Sequence, residues 1–146
     1  MRTLTSRTTP TPIGTPDMSR LRDAAESIAT AWFQIRGFEI DEPRKPTTYD
    51  LVVRKGDLVK TVQVKTTTYR DNGNWLVNIG RRPSNVSKSV SRLAYVNGTV
   101  DWFFIIDGDL AIYLVPASEV AGQVTMTLSH YQDYRVGSAA SLAIQL

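Results

Sequence analysis

Between Tyr49 and Thr67 the chain reads as two strands folded back on each other, and this segment constrains the fold most. Tyr49 to Arg54 and Leu58 to Thr67 are rich in Val and Thr, with Lys55-Gly56-Asp57 between them. Side chains alternate along a strand, so Gln63 and Lys65 share one face of the second strand while Val62 and Val64 share the other. A two-residue loop of Gly56-Asp57 puts Asp50 directly opposite Gln63. A slip of one residue leaves the two as neighbours on opposite faces. In the first register a carboxylate, an amide oxygen and an ammonium converge on one patch, anchored from behind by two valines.

The flanking segments supply what such a hairpin packs against. Leu21, Ala25, Ile28, Trp32 and Ile35 recur at spacings of four, three, four and three, which predicts a helix with one apolar stripe. Asp17 or Ser19 is the candidate N-cap, and Gly37 stands where a left-handed C-terminal cap is expected. Phe38-Glu39-Ile40 reads as a short strand and Asp41 to Thr48, with Pro43 and Pro46, as a loop. Trp75 to Ile79 reads as a strand entered through Asp71-Asn72-Gly73-Asn74. Trp102 to Ile106 and Leu110 to Val115 read as a second hairpin, with Asp107-Gly108 as a two-residue turn. Pro116 ends that strand, and Val124 to Leu128 reads as an edge strand. Gly80 to Asn97 reads equally as helix or loop, and the last residues carry no clear signal. The order predicts a mixed α/β (α+β) domain, a central sheet with the first helix on one face. Residues 1–17, with Thr9-Pro10-Thr11-Pro12 and Thr15-Pro16, are expected to be a flexible tail, and residues 18–146 one domain.

Composition narrows the chemistry. The chain has no cysteine, which excludes disulfides, thiolate zinc sites and cysteine nucleophiles. No apolar run approaches the roughly 20 residues a membrane span needs, and the N-terminus lacks the apolar core of a secretory signal. An intracellular, cytoplasmic setting is therefore expected. The net charge of +3 conceals an asymmetry: Arg135 is the sole Lys or Arg beyond residue 100, where Asp101, Asp107, Asp109, Glu119 and Asp133 gather. Such a distribution fits a polyanion-binding face, and equally an uneven solvated surface.

Hard cations such as Mg²⁺ take oxygen ligands, usually one or two carboxylates plus waters and substrate phosphate. Asp50 offers a carboxylate and Gln63 a carbonyl, while Lys65 is placed to act on a water or offset charge on a phosphate. Those parts suit phosphodiester hydrolysis. The same residue types also make a surface ion pair of little energetic weight. Arg81, Arg82, Lys88 and Arg92, interspersed with Ser84, Asn85, Ser87 and Ser89, are candidates for tracking a phosphate backbone. Arg44, Lys45 and Arg70 are weaker ones. Tyr69 and Trp75 are candidates for stacking on a base or for the core. Trp32, Trp102, Phe103 and Phe104 are assigned to the core, Asp101 to a structural role, and His130 to the surface.

An acid opening one strand of a hairpin, an acid-x-Lys triplet in the next, and a preceding helix that carries Glu together resemble the PD-(D/E)XK nuclease core. Here the Pro-Asp pair reads Tyr49-Asp50, and the triplet reads Gln63-Val64-Lys65. The likeness runs from about Leu21 to Glu119 and takes in Val100 to Phe104 and Tyr113 to Pro116. It is nearest to a small branch that includes an intron-encoded homing endonuclease using Asp and Gln-x-Lys, and more distant from Holliday-junction resolvases. The resemblance implies a restriction-endonuclease-like core, a DNA substrate, and Mg²⁺, with Mn²⁺ as a substitute, held by Asp50, Gln63 and Glu26. Lys65 is the catalytic companion. Glu26 follows Ala25 by one residue, about 100° round the helix, so it flanks the apolar stripe; it also fits an ordinary exposed helix Glu. Cutting both strands with so small a domain suggests a homo-dimer or higher oligomer. Gln at the acid position leaves open a nuclease-like fold that binds nucleic acid without cutting it.

Overall fold

The computed structural model describes residues 14–80 and 98–144. Most of the proposed tail, and Arg81, Arg82, Lys88 and Arg92, lie outside the described residues. A single 3-10 turn, Met18–Arg20, leads into helix α1, Leu21–Ile35. Asp17 caps that entry, its Oδ1 accepting from the Ser19 N–H at 3.0 Å. The exit is a Schellman cap. Gly37 takes φ +88°, its N–H donates to the Gln34 carbonyl, and the Phe38 N–H reaches the Phe33 carbonyl. The Phe38 ring packs edge-on against Phe33, 5.3 Å between centroids, which closes the cap with an apolar contact.

The buried face of α1 is Leu21, Ala25, Ala29 and Phe33. The expected stripe was therefore right at its start and drifted at its end. Ile28 and Trp32 are half-buried, and Ile35 is 83 % exposed. A row of i, i+4 positions runs obliquely to the helix axis. The small Ala29 lets the helix lie close to the sheet along that row, and Phe33 then sits among the rings of Trp32, Phe38, Trp102 and Phe104.

Among the described residues nine strands follow: β1 Glu39–Asp41, β2 Leu51–Lys55, β3 Leu58–Thr66, β4 Arg70–Asp71, β5 Asn74–Asn78, β6 Trp102–Ile106, β7 Ala111–Pro116, β8 Thr125–Thr127 and β9 Arg135–Ser138. Six form one sheet in the order β1-β2-β3-β6-β7-β9, antiparallel throughout except for the parallel pair β3 and β6. β4, β5 and β8 form a small antiparallel sheet. Helix α1 covers one face of the large sheet through Leu51, Val53, Val62, Phe104, Ile106 and Ile112. The opposite face, with Phe103, Ile105, Tyr113 and Val115, packs on Val77 and Met126 of the small sheet. β6 is thus buried on both faces, which is why it reads as an unbroken apolar run instead of alternating.

Two further features depart from the sequence reading. The β6–β7 connection is longer than a two-residue turn: Ile106 pairs with Ile112, and the Asp107 N–H meets the Ala111 carbonyl. The Asp107 carboxylate organises the loop, its Oδ1 accepting from the Asp109 N–H at 2.8 Å and the Ala111 N–H at 3.0 Å. Leu110 closes it at φ +63°. The second departure is β9, which pairs with β7 through its backbone although its side chains are mostly exposed, so no apolar alternation announced it.

Candidate active site

The β2–β3 hairpin turns on Gly56-Asp57, with Lys55 paired to Leu58 and Leu51 to Val62. Gly56 supplies the positive φ, +58°, that a tight turn demands. Extending this register sets Asp50 across from Gln63, on the face expected from alternation. Two hydrogen bonds hold Asp50 just beyond the end of β2. Its N–H donates to the Val62 carbonyl at 2.8 Å, and its Oδ2 accepts from the Val64 N–H at 2.7 Å. On its other side β3 lies parallel to β6, with Gln63 level with Phe103 and Lys65 level with Ile105. Lys65 therefore stands on the most buried part of the sheet, itself half-buried.

Glu26 comes from α1, on the other side of the sheet, and meets Asp50 around its end. Its carboxyl is pushed above the usual carboxylate range, first by burial, then by the charges of Asp50 and Glu42, and by a hydrogen bond with Asp50. Glu26, Asp50, Gln63 and Lys65 line one cleft of about 940 Å³. All four candidate residues are thus together. Arg22, Thr68, Tyr69 and Asn78 also border it. Glu42, Arg22 and Asn78 were not singled out from the sequence. Asn78 was legible in principle, because Trp75, Val77 and Ile79 face the core and leave the alternate positions outward.

Among the described residues no three His, Cys, Asp or Glu side chains gather as a metal site. The cleft offers two carboxylates and an amide carbonyl. This all-oxygen set fits a hard dication, and the Asp50 and Glu42 charges that add to the effect of burial on Glu26 are what a bound cation offsets.

Among the described residues, the candidates Arg44, Lys45, Arg70, Trp75, Asp101 and His130 do not line this cleft. Arg70 is engaged: it donates to Asp109 Oδ2 and to the Gly73 carbonyl, both at 3.0 Å, and stacks 3.9 Å from the Trp75 ring. Trp75 also donates to Asp109 Oδ2, at 3.1 Å, and its ring lies against Gly108, which removes it as a stacking platform. Asp101 is structural, its Oδ2 accepting from the Thr61 N–H at 2.9 Å. His130 is exposed on a 3-10 segment, and Arg44 and Lys45 are exposed in the loop before Asp50.

The profile of the PD-(D/E)XK endonuclease family matches residues 17–140. No curated protein sequence matches the chain significantly. Among solved structures, the bacterial homing endonuclease I-Ssp6803I superposes with a TM-score of 0.62 at 20 % identity, over 83 % of this chain and 84 % of that one. No described helix is long and apolar enough to cross a membrane. With the family profile spanning helix, hairpin and both sheets, this chain belongs to the PD-(D/E)XK endonuclease family.

Proposed function

We propose that the protein is a divalent-metal-dependent endonuclease that hydrolyses phosphodiester bonds in DNA, with Mg²⁺ as the cation and Mn²⁺ as a substitute. The observation that carries this reading is the meeting of Asp50 and Glu26 at the end of the hairpin that also presents Gln63 and Lys65. Asp50, Glu26 and the Gln63 carbonyl would hold the cation. When bound, it draws charge from the phosphodiester and makes water a better nucleophile. The chain's own residues do the rest. The Val64 N–H fixes one Asp50 oxygen, Oδ2, on a residue that lines the cleft. The Lys65 ammonium meets the charge that grows on the phosphate oxygens, an interaction stronger in the transition state than in the ground state. Arg81, Arg82, Lys88 and Arg92 would bind the DNA backbone, and a symmetric oligomer would bring two sites to the two strands.

The test is cleavage of supercoiled, linear and four-way-junction DNA in Mg²⁺ or EDTA, by the wild type and Lys65→Ala. Lys65→Ala should bind DNA nearly as well and cut at least about a hundredfold more slowly. Lys65→Arg should rescue poorly, because the planar guanidinium has a different shape and stays protonated. Binding without cleavage by the wild type, in every metal tried, would turn the protein into a nucleic-acid-binding module built on a nuclease fold.

A further inference from the structure

The wall of the cleft opposite α1 is the outer face of the β4–β5 ribbon. β5 turns Trp75 and Val77 toward the core and Leu76 and Asn78 toward the cleft. The Tyr69 carbonyl accepts from the Leu76 N–H at 3.1 Å, so Tyr69 and Leu76 stand side by side on that cleft face. Tyr69 is 62 % exposed, the only aromatic side chain among the described residues that is largely open.

Its mounting is firm. The Tyr69 N–H donates to Thr67 Oγ1 at 3.2 Å, and the buried Thr67 hydroxyl donates in turn to the Leu76 carbonyl at 2.5 Å. One residue on, Arg70 ties the ribbon to Asp109. A large ring held mostly open on a hydrogen-bonded backbone, four residues after Lys65, contributes little burial to the fold.

A nucleotide carries an anionic phosphate and a flat, largely apolar base in one unit. The cleft offers Lys65 and Arg22 for the first, and Tyr69 beside Leu76 for the second. We infer that Tyr69 is a substrate-binding residue whose ring stacks on the nucleobase adjoining the scissile phosphate. A base in a regular duplex already has both faces covered by its neighbours. Stacking on Tyr69 requires that base to leave its stack, at a cost that is least where pairing is already broken. The preferred substrate class is therefore DNA with a locally unpaired base beside the cut. This inference rests on the reading of the cleft as a nuclease site.

The experiment compares the full-length wild type with Tyr69→Ala and Tyr69→Phe on short duplexes of one sequence, fully paired or with a single mismatch carrying 2-aminopurine. Affinity and 2-aminopurine quenching are read in EDTA, and cleavage of the same duplexes in Mg²⁺. The wild type should bind the mismatched duplex roughly tenfold more tightly and quench its fluorescence, as expected for one base–aromatic stack. Tyr69→Ala should lose both effects. Tyr69→Phe should keep them, since the ring and not the hydroxyl makes the contact. Matching thermal melts exclude misfolding, which is not expected at so exposed a position. A wild type indifferent to the mismatch, or a Tyr69→Ala variant that keeps the preference, overturns the inference and leaves the endonuclease reading to the cleavage data. A Tyr69-dependent preference without cleavage keeps the inference and sinks the endonuclease reading. Absence of any DNA binding removes both.

Discussion

Two carboxylate clusters in this protein are built on opposite principles. In one, Asp109 receives the Arg70 guanidinium and the Trp75 indole N–H, while Arg70 lies over the Trp75 ring. Charge meets opposite charge, and each donor has an acceptor. In the other, Glu26 meets Asp50, with Glu42 nearby, and its carboxyl is raised first by burial and then by those like charges. The first cluster fastens the β4–β5 ribbon to the β6–β7 loop. The second brings like-charged groups together at the edge of a cleft, an arrangement the fold alone has no reason to keep. The contrast shows how to tell a fastening from a functional site when both contain the same residue types: a fastening satisfies its own groups, and a site leaves them in wait for a ligand.

The sharpest way to break this comparison is Asp50→Asn. If Asp50 belongs to a metal site, the neutral amide binds a hard dication far less well, and cleavage should fall by about three orders of magnitude or more with the melting temperature little changed. Plasmid cleavage across a Mg²⁺ and Mn²⁺ titration measures it. Normal cutting by this variant would put the Glu26–Asp50 pair on the same footing as the Asp109 fastening. Gln63 comes next. Gln63→Ala removes a ligand oxygen and should cost at least about tenfold in cleavage, whereas Gln63→Glu keeps an oxygen, adds charge and should stay active with a shifted Mg²⁺/Mn²⁺ preference. Equal activities for the two variants would remove Gln63 from the metal's surroundings.

The fastening should respond in stability, not in chemistry. A Cβ on Gly108 would lie 2.4 Å from Cη2 of Trp75, so Gly108→Ala must displace the indole. It should cost about 1–3 kcal/mol in denaturant unfolding. Asp109→Ala should cost about 1 kcal/mol, because its contacts are partly exposed. A variant unchanged in stability but defective in cleavage would mean that the ribbon serves the active site directly. The smallest effect belongs to Glu26→Gln. Glu26's folded pKa is raised, so between the ordinary Glu value and the raised one the folded state holds the extra proton. The stability tied to this group is present at low pH and lost as pH climbs through the raised value. In EDTA at neutral pH, Glu26→Gln should therefore raise the melting temperature slightly, on the order of one degree. A drop would show Glu26 to be favourably paired. Metal binding carries the opposite sign: it should weaken as pH falls through the raised Glu26 value and the ligand is protonated.

The hairpin was legible because its evidence is local. Gly56-Asp57 sets the register, and the register decides which of Asp50, Gln63 and Lys65 share a face. The start of α1 was legible for the same reason. Its end was not, because the choice of Phe33 over Ile35 as a buried residue depends on Trp102 and Phe104 from a distant strand. The β6–β7 loop misled for a different reason. Asp-Gly is a common turn pair, but here the Asp107 side chain binds two backbone N–H groups and lengthens the connection. β9 left no pattern because it joins the sheet by backbone alone. Glu26 could be placed beside the stripe from helical periodicity, whereas its meeting with Asp50 depends on how the helix crosses the sheet.

One further consequence lies in the bond from Val64 to Asp50. The group that steadies the Asp50 carboxylate is a main-chain N–H, so no particular side chain is required to provide it. Every residue except proline supplies that donor. The family's signature is written PD-(D/E)XK, and in the Gln63-Val64-Lys65 triplet that resembles it Val64 stands where the signature has X. Packing against α1 favours a residue such as valine there, but the chemistry asks only for the amide. The unspecified letter in the motif is thus an occupied post, filled by the part of the chain that all amino acids but one have in common.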